Sequence, residues 1–419
     1  MFDLQFRRIL KLPLLLKAWK PKLNSADDEV MSENTILDQP LRVKTLDKSS
    51  MLEACERLPD SCRDAIKLAK RLQIPGKTRV SEQSGITLMK PRNLVVAGMG
   101  GSAIGGEMLK DWLRDKSSIP IEVSRDYSLP AYVDKRSLVI AISYSGETEE
   151  TLSAFVDAIK RRCMILTIST GGHLETFSKR LQIPHLKIPS DFPAPRAAIG
   201  YTFFPLVILM EKFQIVHNTK SEIDEALEVL QQVSNRNALE TPLKSNNAKR
   251  LAFEIGNSIP IVCGFTGNSS VARRLKCQFN ENSKVPSKFE TLPELNHNEI
   301  VGWEAPRNVT KHFSAILLRD NEEPPRIKSR IEMTKEIAVK KFSKVLEIHA
   351  LGKKKLAKIL SAMYIGDFAS IYLALLREVD PTPTKNITHL KRRLKKECDK
   401  ISEFEGEIKR LVDDGFPKT

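Results

Sequence analysis

Two turns rich in glycine and hydroxyl groups, each preceded by an apolar run, constrain the fold of this sequence most. The apolar residues 94–97 lead into one turn, and the apolar residues 138–142 lead into the other. Each segment is typical of a buried strand, a tight turn and a helix, in that order. The small residues of the two turns are as follows: Gly98, Gly100, Gly101, Ser102, Gly105 and Gly106, then Ser143, Ser145, Gly146 and Thr148.

The two turns predict a binding site for a phosphate group. Glycine allows the backbone to approach a ligand closely, and the free N–H groups at the start of a helix face an anion. The hydroxyl groups of the second turn would add hydrogen-bond donors. The alternative is a pair of ordinary strand–helix turns. Neither turn has a Walker lysine or the glycine spacing of a dinucleotide-binding fingerprint.

A third apolar run, residues 164–168, ends in another turn with hydroxyl groups and glycine, residues 169–172. The alternation of strands and helices predicts an α/β fold with a parallel sheet. Ligands of such sheets bind beyond the carboxyl ends of the strands. We therefore expect all three turns to lie at one edge of the sheet.

The second half of the chain contains a weak repeat of the first. When residues 262–267 are aligned with residues 96–101, Gly264 and Gly267 coincide with Gly98 and Gly101. Further strands are predicted at 313–318 and 345–348, and a long helix at 354–378. With 419 residues the chain is long enough for two domains, so we expect a duplicated unit with two sheets.

The two ends of the chain differ from the rest. Residues 1–50 begin with a basic, apolar segment that is too short to span a bilayer and lacks a signal-peptide pattern. A transit peptide, a disordered segment and a mis-assigned start are all open interpretations. We expect residues 23–50 to be a linker. The charged residues 392–419 predict an exposed helix that is either packed outside the main body or frayed.

Composition limits the classes of partner. The net charge of +15 suits an anionic substrate or nucleic acid, but no zinc knuckle or helix-turn-helix pattern is present, so we expect no nucleic-acid partner. Six cysteines without a CxxC pair fit a reducing compartment, and we expect a cytoplasmic protein without disulfides or membrane association. No HExxH motif or His/Cys cluster is present, so we expect no metal and no cofactor.

The densest groups of functional side chains are residues 278–282 and 293–299. Glu281 and His297 could form an acid/base pair in these polar surroundings. A solvated loop histidine and carboxylates paired with lysines are the alternatives. Arg196 stands just before an apolar helix, either in a surface ion pair or in a functional site.

Five segments, in the same order along the chain, resemble the bifunctional phosphoglucose/phosphomannose isomerases, which are built from sugar isomerase (SIS) domains. The resemblance covers about residues 50–392 and implies two SIS domains, each a five-stranded parallel sheet flanked by helices in a three-layer αβα sandwich. We expect an extension at 1–50, domains at 51–240 and 241–391, and a charged tail at 392–419. The five segments are these: 98–106, 143–151, 195–198, 278–282 and 292–301.

The resemblance also implies roles for individual residues. Glu281 corresponds to the base that moves a proton between C2 and C1, Arg196 to the arginine beside the cis-enediolate, and Lys391 to a lysine that contacts substrate. His297 corresponds to the ring-opening group, which the neighbouring subunit of a homodimer supplies. Thr384 corresponds to the threonine that makes room for the mannose epimer. The residues implied in phosphate binding are the following: Gly101, Ser102, Ser143, Ser145 and Thr148.

The sequence therefore predicts a metal-independent isomerase that interconverts glucose 6-phosphate and mannose 6-phosphate with fructose 6-phosphate. The alternatives are a sugar-phosphate-binding SIS regulator without catalysis and an SIS isomerase of another phosphosugar. One departure from the family pattern is Glu147, where asparagine is more usual; it adds a negative charge beside the phosphate turn.

Overall fold

A computed structural model describes residues 35–79, 85–397 and 400–414, so the basic segment near the N-terminus lies outside the described residues. The strands are β1 (Lys77–Arg79), β2 (Gly85–Thr87), β3 (Asn93–Gly98), β4 (Ile121–Ser124), β5 (Ser137–Ile142), β6 (Met164–Ser169), β7 (His185–Lys187), β8 (Ile259–Phe265), β9 (Lys288–Leu292), β10 (Phe313–Arg319) and β11 (Lys344–His349). The α-helices are α1 (Pro40–Leu46), α2 (Met51–Glu56), α3 (Leu58–Arg71), α4 (Gly100–Leu113), α5 (Glu149–Lys160), α6 (Gly172–Arg180), α7 (Ile199–Lys212), α8 (Lys220–Asn237), α9 (Asn247–Ile255), α10 (Ser269–Glu281), α11 (Glu299–Gly302), α12 (Arg307–Thr310), α13 (Pro325–Lys341), α14 (Lys355–Leu376), α15 (Lys385–Glu397) and α16 (Lys400–Asp414).

The first sheet has five strands in the order β4-β3-β5-β6-β7, and all neighbouring strands are parallel. Val96 of β3 pairs with Ile140 of β5, and every residue of β5 and β6 is buried. Near-continuous apolar strands of this kind are typical of parallel sheets covered on both faces. The predicted parallel α/β fold is confirmed.

The second sheet has four strands in the order β11-β10-β8-β9, again all parallel. The prediction of a fifth strand is wrong for the part of the chain that the structure describes. After β9 the chain forms a short 3₁₀ turn and the helices α11 and α12 before it reaches β10, so no extended segment is left to widen the sheet. Strand β9 is therefore an edge strand.

Helix α14 lies between the two halves and packs against α8, α9 and α10. It has the length and hydropathy of a membrane span, but 94% of its most apolar window is buried inside the protein, as in a core helix. The predicted long helix is confirmed. Both sheets belong to one compact unit that begins at Ile36, and the domain boundary at residue 240 stays a prediction.

The N-terminal part of the unit departs from expectation. The expected linker includes a 3₁₀ turn at Ile36–Asp38 and helix α1, and Leu37 and Val43 are buried in the main core. The ammonium group of Lys249 lies 2.9 Å from a carboxylate oxygen of Asp38. Because these apolar and charged side chains find partners on later helices, this part of the segment is ordered.

Two helix ends also differ from the sequence pattern. The apolar periodicity of residues 51–72 is typical of one helix, but the segment is divided into α2 and α3 at Arg57, because Pro59 occupies the first turn of α3 and favours a new helix start. Serine is a typical N-cap residue, but Ser221 lies inside α8, which begins at Lys220. The hydroxyl of Ser221 instead accepts a hydrogen bond from the ammonium group of Lys354.

The charged tail forms helix α16, which packs on α5 with Phe404 and Ile408 buried. Of the two alternatives for this segment, packing outside the main body describes α16. The cysteines in the described part of the chain are unpaired, and Cys163 and Cys263 are buried. Cys398 lies outside the described residues.

Candidate active site

The glycine turn after β3 lies directly against the segment that carries Arg196. A Cβ atom placed on Gly101 would be 3.1 Å from the Cα atom of Arg196, so a larger residue would push the two segments apart. Ser102 is buried in the first turn of α4, and its hydroxyl accepts a hydrogen bond of 3.2 Å from the backbone N–H of Tyr144. The first turn therefore contacts both the second turn and the Arg196 segment.

The hydroxyl groups of the second turn are fixed by one another and by the backbone. The hydroxyl of Ser143 donates to the hydroxyl of Thr148 at 2.8 Å and accepts from the N–H of Gly146 at 3.1 Å. The exposed hydroxyl of Ser145 accepts from the N–H of Glu147 at 3.2 Å. These groups stand at the carboxyl end of β5, just before α5, where an oxyanion would meet preorganised donors.

The carboxylate of Glu147 is directed toward the third turn. Its Oε1 atom accepts from the backbone N–H of His173 at 3.0 Å, and its Oε2 atom is 2.6 Å from Nδ1 of the same histidine. The Nε2 atom of His173 is 3.5 Å from a carboxylate oxygen of Glu405 on α16. The negative charge of Glu147 thus sits at the N-terminus of α6, where the helix dipole stabilises it.

Arg196 is 4% exposed and lies in a 3₁₀ turn, Pro195–Ala198, so the interpretation as a surface ion pair is wrong. Its guanidinium donates to the Asn282 side-chain oxygen at 2.6 Å and to the backbone carbonyls of Pro381 and Thr382 at 2.8 and 2.9 Å. The Nη1 atom is 3.2 Å from Oε2 of Glu281. Burial lowers the pKa of Arg196, and the carboxylate of Glu281 acts in the opposite direction.

Glu281 is the last residue of α10, and its side chain lines an open groove of about 1230 Å³. The same groove is lined by Asp380 and Thr384, which precede α15. Two sequence-predicted site residues, Glu281 and Thr384, therefore line this groove, and Arg196 lies 3.2 Å from the carboxylate of Glu281. Arg196, which contacts Glu281, also packs against Gly101 of the glycine turn.

A buried polar network between α10 and α14 supports the segment that carries Arg196. Arg274 of α10 forms an ion pair with Asp367 of α14, with its Nη2 atom 2.7 Å from a carboxylate oxygen, and both side chains are at most 5% exposed. Arg274 also donates to the backbone carbonyl of Arg196 at 3.0 Å, and Gln278 donates to Asp367 at 3.0 Å. Burial raises the pKa of Asp367, and the charge of Arg274 opposes that shift.

Sequence reasoning missed this network. A signal was present, because Asp367 interrupts the apolar surface of a long helix, and a buried carboxylate needs a cationic partner. Arg274, Gln278 and Asn282 follow one another at intervals of four residues, so they share the face of α10 that meets α14. The amide of Asn282 completes the contact by donating to the hydroxyl of Ser370 at 2.9 Å.

Most of the other predicted site residues do not line the groove within one chain; these are His297, Lys391, Gly101, Ser102, Ser143, Ser145 and Thr148. His297 is exposed in the turn that follows β9, and its backbone N–H donates to the carbonyl of Glu294 at 2.8 Å. Lys391 is exposed on α15 and forms no hydrogen bond or ion pair with other described residues. Among the described residues, no hydrogen bond or ion pair joins the side chain of His297 or Lys391 to Glu281.

The glycine-containing turn between β8 and α10 resembles the turn after β3, but a carboxylate of the protein itself binds there. Asp111 of α4 accepts hydrogen bonds from the backbone N–H of Ser270 at 2.7 Å and from the hydroxyl of Ser269 at 3.2 Å. Burial raises the pKa of Asp111, while these hydrogen bonds lower it. The N-terminus of α10 is thus occupied by a carboxylate of the protein. Among the described residues, no carboxylate forms a hydrogen bond with the N-terminus of α4.

No group of three or more histidine, cysteine, aspartate or glutamate side chains in residues 35–79, 85–397 and 400–414 could hold a metal ion. The expectation of a site without metal or cofactor stays a prediction.

Comparison with known proteins decides the family. The SIS domain profile matches residues 87–183, and the profile described as bacterial phospho-glucose isomerase C-terminal SIS domain matches residues 244–394. The bifunctional phosphoglucose/phosphomannose isomerase of Caldicellulosiruptor bescii is 41% identical over 345 residues, which are 82% of this chain and 98% of the relative. The chain belongs to the bifunctional phosphoglucose/phosphomannose isomerase family.

Other relatives agree with this assignment. The bifunctional phosphoglucose/phosphomannose isomerase of Aquifex aeolicus is 36% identical and covers 73% of this chain and 91% of the relative. A crystal structure of a glucose-6-phosphate isomerase like protein from Thermus thermophilus has a TM-score of 0.54 at 17% identity and covers 85% of this chain and 98% of that one. The predicted family and the predicted SIS fold are confirmed.

The first matched region includes the two N-terminal turns, and the second includes Glu281, His297 and Lys391. Arg196 lies between the two matched regions, and α16 lies beyond the second. Helix α16 is therefore an addition to the matched SIS domains.

Proposed function

We propose that the protein is a metal-independent aldose–ketose isomerase that interconverts glucose 6-phosphate and mannose 6-phosphate with fructose 6-phosphate. The observation that carries this proposal is the 3.2 Å contact between the guanidinium of Arg196, which packs against the glycine turn, and the carboxylate of Glu281, which lines the open groove. The names of the relatives from C. bescii and A. aeolicus support the same reaction.

The chemistry needs one base and one source of positive charge. In the proposed mechanism the Glu281 carboxylate removes the proton from C2 of the open-chain aldose and returns it to C1, which gives the ketose. Negative charge develops on the O1 and O2 atoms of the cis-enediolate, and the buried guanidinium of Arg196 stabilises it electrostatically. Glucose and mannose 6-phosphates differ only at C2, so both give the same planar intermediate and one base can serve both.

The substrate phosphate is proposed to bind at the two N-terminal turns. Backbone N–H groups near Gly101 and Ser102 and the hydroxyls of the second turn supply donors for its oxygens. The residues proposed for the second turn are Ser143, Ser145 and Thr148. Thr384 borders the same groove and is proposed to leave space for the mannose epimer.

We propose a homodimer with shared active sites, in which His297 of one subunit opens the sugar ring in the groove of the other and Lys391 contacts substrate. The exposure of both side chains supports this arrangement. Mixing inactive Glu281→Gln and His297→Ala proteins under subunit exchange should restore about a quarter of the wild-type activity, because mixed dimers contain one site with both residues intact. Failure to regain activity in a proven mixed dimer would place both residues of a site in one subunit.

The proposed location is the cytoplasm, where the unpaired cysteines would stay reduced, and the proposed partner is a sugar phosphate rather than nucleic acid or membrane. Recovery of the protein in the cytosolic fraction of cells would test the location. Sugar-phosphate turnover that is unchanged by added nucleic acid would test the partner.

A coupled assay tests the activity itself. Formation of fructose 6-phosphate from each aldose 6-phosphate, measured with and without a chelator, should proceed from both substrates and be insensitive to the chelator. Stabilisation by sugar phosphates without turnover would favour the regulator, and turnover of a different phosphosugar alone would favour the narrower isomerase alternative.

A further inference from the structure

We propose that Lys284 is a positioning residue of this site: it fixes residues 380–384, the C-terminal strap, against the end of α10 and thereby sets the place of Thr384 relative to the Glu281 carboxylate. The inference rests on the proposed function for its kinetic consequences. Its structural consequence, the order of the C-terminal strap, does not depend on that function.

The contacts of the Lys284 ammonium group join two segments. Its Nζ atom donates to the backbone carbonyls of Glu281 at 2.6 Å and Asn282 at 3.3 Å, both at the end of α10. It also donates to the carbonyl of Pro381 in the C-terminal strap at 3.0 Å. A cation at the C-terminus of a helix is favoured by the unpaired carbonyls and by the helix dipole.

The carbonyl of Pro381 is shared by two cations. The guanidinium of Arg196 also donates to this carbonyl, at 2.8 Å. Each cation contacts Glu281 as well: Arg196 contacts its carboxylate, and Lys284 contacts its backbone carbonyl. Glu281 is therefore held between the same two residues that hold the C-terminal strap. Loss of either cation should allow the strap and the carboxylate to move relative to each other.

The backbone of Lys284 supports a specific role for this side chain. Its φ angle is 56°, in the left-handed region that lysine rarely adopts. The side chain lines the groove together with Glu281, Asp380 and Thr384. The unusual backbone conformation is maintained at the point where the ammonium group can reach all three carbonyls.

The charge of Lys284 makes this contact sensitive to alkaline pH. Partial burial and the nearby charge of Arg196 lower the pKa of Lys284 to about 8, while Asp380 and Glu281 act in the opposite direction. The other charged groups that line the groove are Lys48, Lys276 and Lys385. Because the charged form is the stronger donor, the hold on the C-terminal strap is complete at lower pH and weakens as pH rises through this value.

The test compares Lys284→Met and Lys284→Arg with a matched control, Lys212→Met. Lys212 also donates from its ammonium group to carbonyls at a helix end, those of Lys70 in the last turn of α3 and Leu72 just after it, and burial likewise lowers its pKa. Neither of those carbonyls belongs to the groove. The measurements are hydrogen exchange of peptides covering residues 379–385 and kcat/KM for both aldose phosphates as a function of pH.

Lys284→Met should increase exchange in the C-terminal strap, lower kcat by about tenfold to a hundredfold through misplacement of reacting groups, and change the ratio of kcat/KM between the two aldoses. Lys284→Arg should keep most of the turnover and move the alkaline decline to higher pH, because the arginine charge persists. Lys212→Met should leave the epimer ratio and strap exchange unchanged.

Unchanged exchange of the strap in Lys284→Met, or a kcat/KM ratio equal to that of Lys212→Met, would overturn the proposal. If the wild-type protein has no isomerase activity, the proposed function fails, and the exchange measurement alone still decides whether Lys284 positions the strap.

Discussion

The Nη1 atom of Arg196 lies 3.2 Å from the Oε2 atom of Glu281, and the two residues come from different halves of the chain. Arg196 follows the first sheet, and Glu281 ends the helix that follows the first strand of the second sheet. The candidate site is thus assembled between the two sheets, and neither sheet alone provides both the carboxylate and the buried cation.

The first prediction concerns the shape of the Arg196 side chain. Arg196→Lys keeps a positive charge but cannot reproduce contacts to Asn282, Pro381 and Thr382 from one planar group. We expect kcat to fall by about a hundredfold or more, as when a positioned electrostatic group is removed. Arg125→Lys, which changes a pair with Glu107 away from the groove, is the control and should keep near wild-type kcat. Equal kinetics of the two variants would show that charge alone is sufficient at position 196.

The second prediction concerns the link between Glu147, His173 and Glu405. His173→Gln should loosen α16 from α5, because the histidine joins the second turn to that helix. Limited proteolysis should then cleave α16 faster. Lys187→Gln, which changes an exposed pair with Glu175 at 3.1 Å, should leave the rate of cleavage unchanged. If α16 is cleaved equally fast in both variants, its attachment does not depend on His173, and the buried side chains of Phe404 and Ile408 and the ion pair of Glu407 with Lys160 are sufficient.

The third prediction concerns the internal anion at α10. Asp111→Ala leaves the N–H of Ser270 without its acceptor, so we expect a loss of about 1–3 kcal/mol in the free energy of unfolding, measured by urea denaturation. Asp115→Ala, four residues later and just beyond the end of α4, removes an exposed pair with Lys355 and should cost less than about 1 kcal/mol. Similar losses would mean that Asp111 does not cap α10.

The same aspartate should also affect the pH dependence of stability. Burial raises the pKa of Asp111 above its ordinary value of 3.8, so the folded state binds this proton more tightly than the unfolded state does. Its contribution to stability is complete below that value and declines as pH rises through the folded pKa. Asp111→Asn cannot ionise, and its urea midpoint should lack this share of the decline.

Much of the fold could be predicted from local patterns. Residues 94–97, 138–142 and 164–168 are continuous apolar runs, and a strand covered on both faces needs such a run, so β3, β5 and β6 were predictable. The turns were predictable because small residues follow each run at once. Pro59 was a local signal for the division between α2 and α3, but the apolar periodicity continues across this proline and favoured one helix.

The contacts that build the site were less accessible to sequence reasoning. The pairing of Arg274 with Asp367 and of Lys284 with Pro381 joins residues about a hundred positions apart, and periodicity carries no information on such distances. Lys284 resembles any other lysine near a helix end. Its role emerges only when the strap before α15 is found against α10.

The assignment of Glu281 as the base is tested most directly by the turnover of Glu281→Gln, with Glu254→Gln on the exposed side of α9 as the matched control. Glutamine preserves the size of the side chain and cannot accept the proton. We predict that kcat for fructose 6-phosphate formation falls by about three orders of magnitude in Glu281→Gln, since positioned acid/base catalysis contributes roughly 10²–10⁴, and stays near the wild-type value in the control. A Glu281→Gln protein that turns over both aldose phosphates at near wild-type rates would contradict the proposed mechanism.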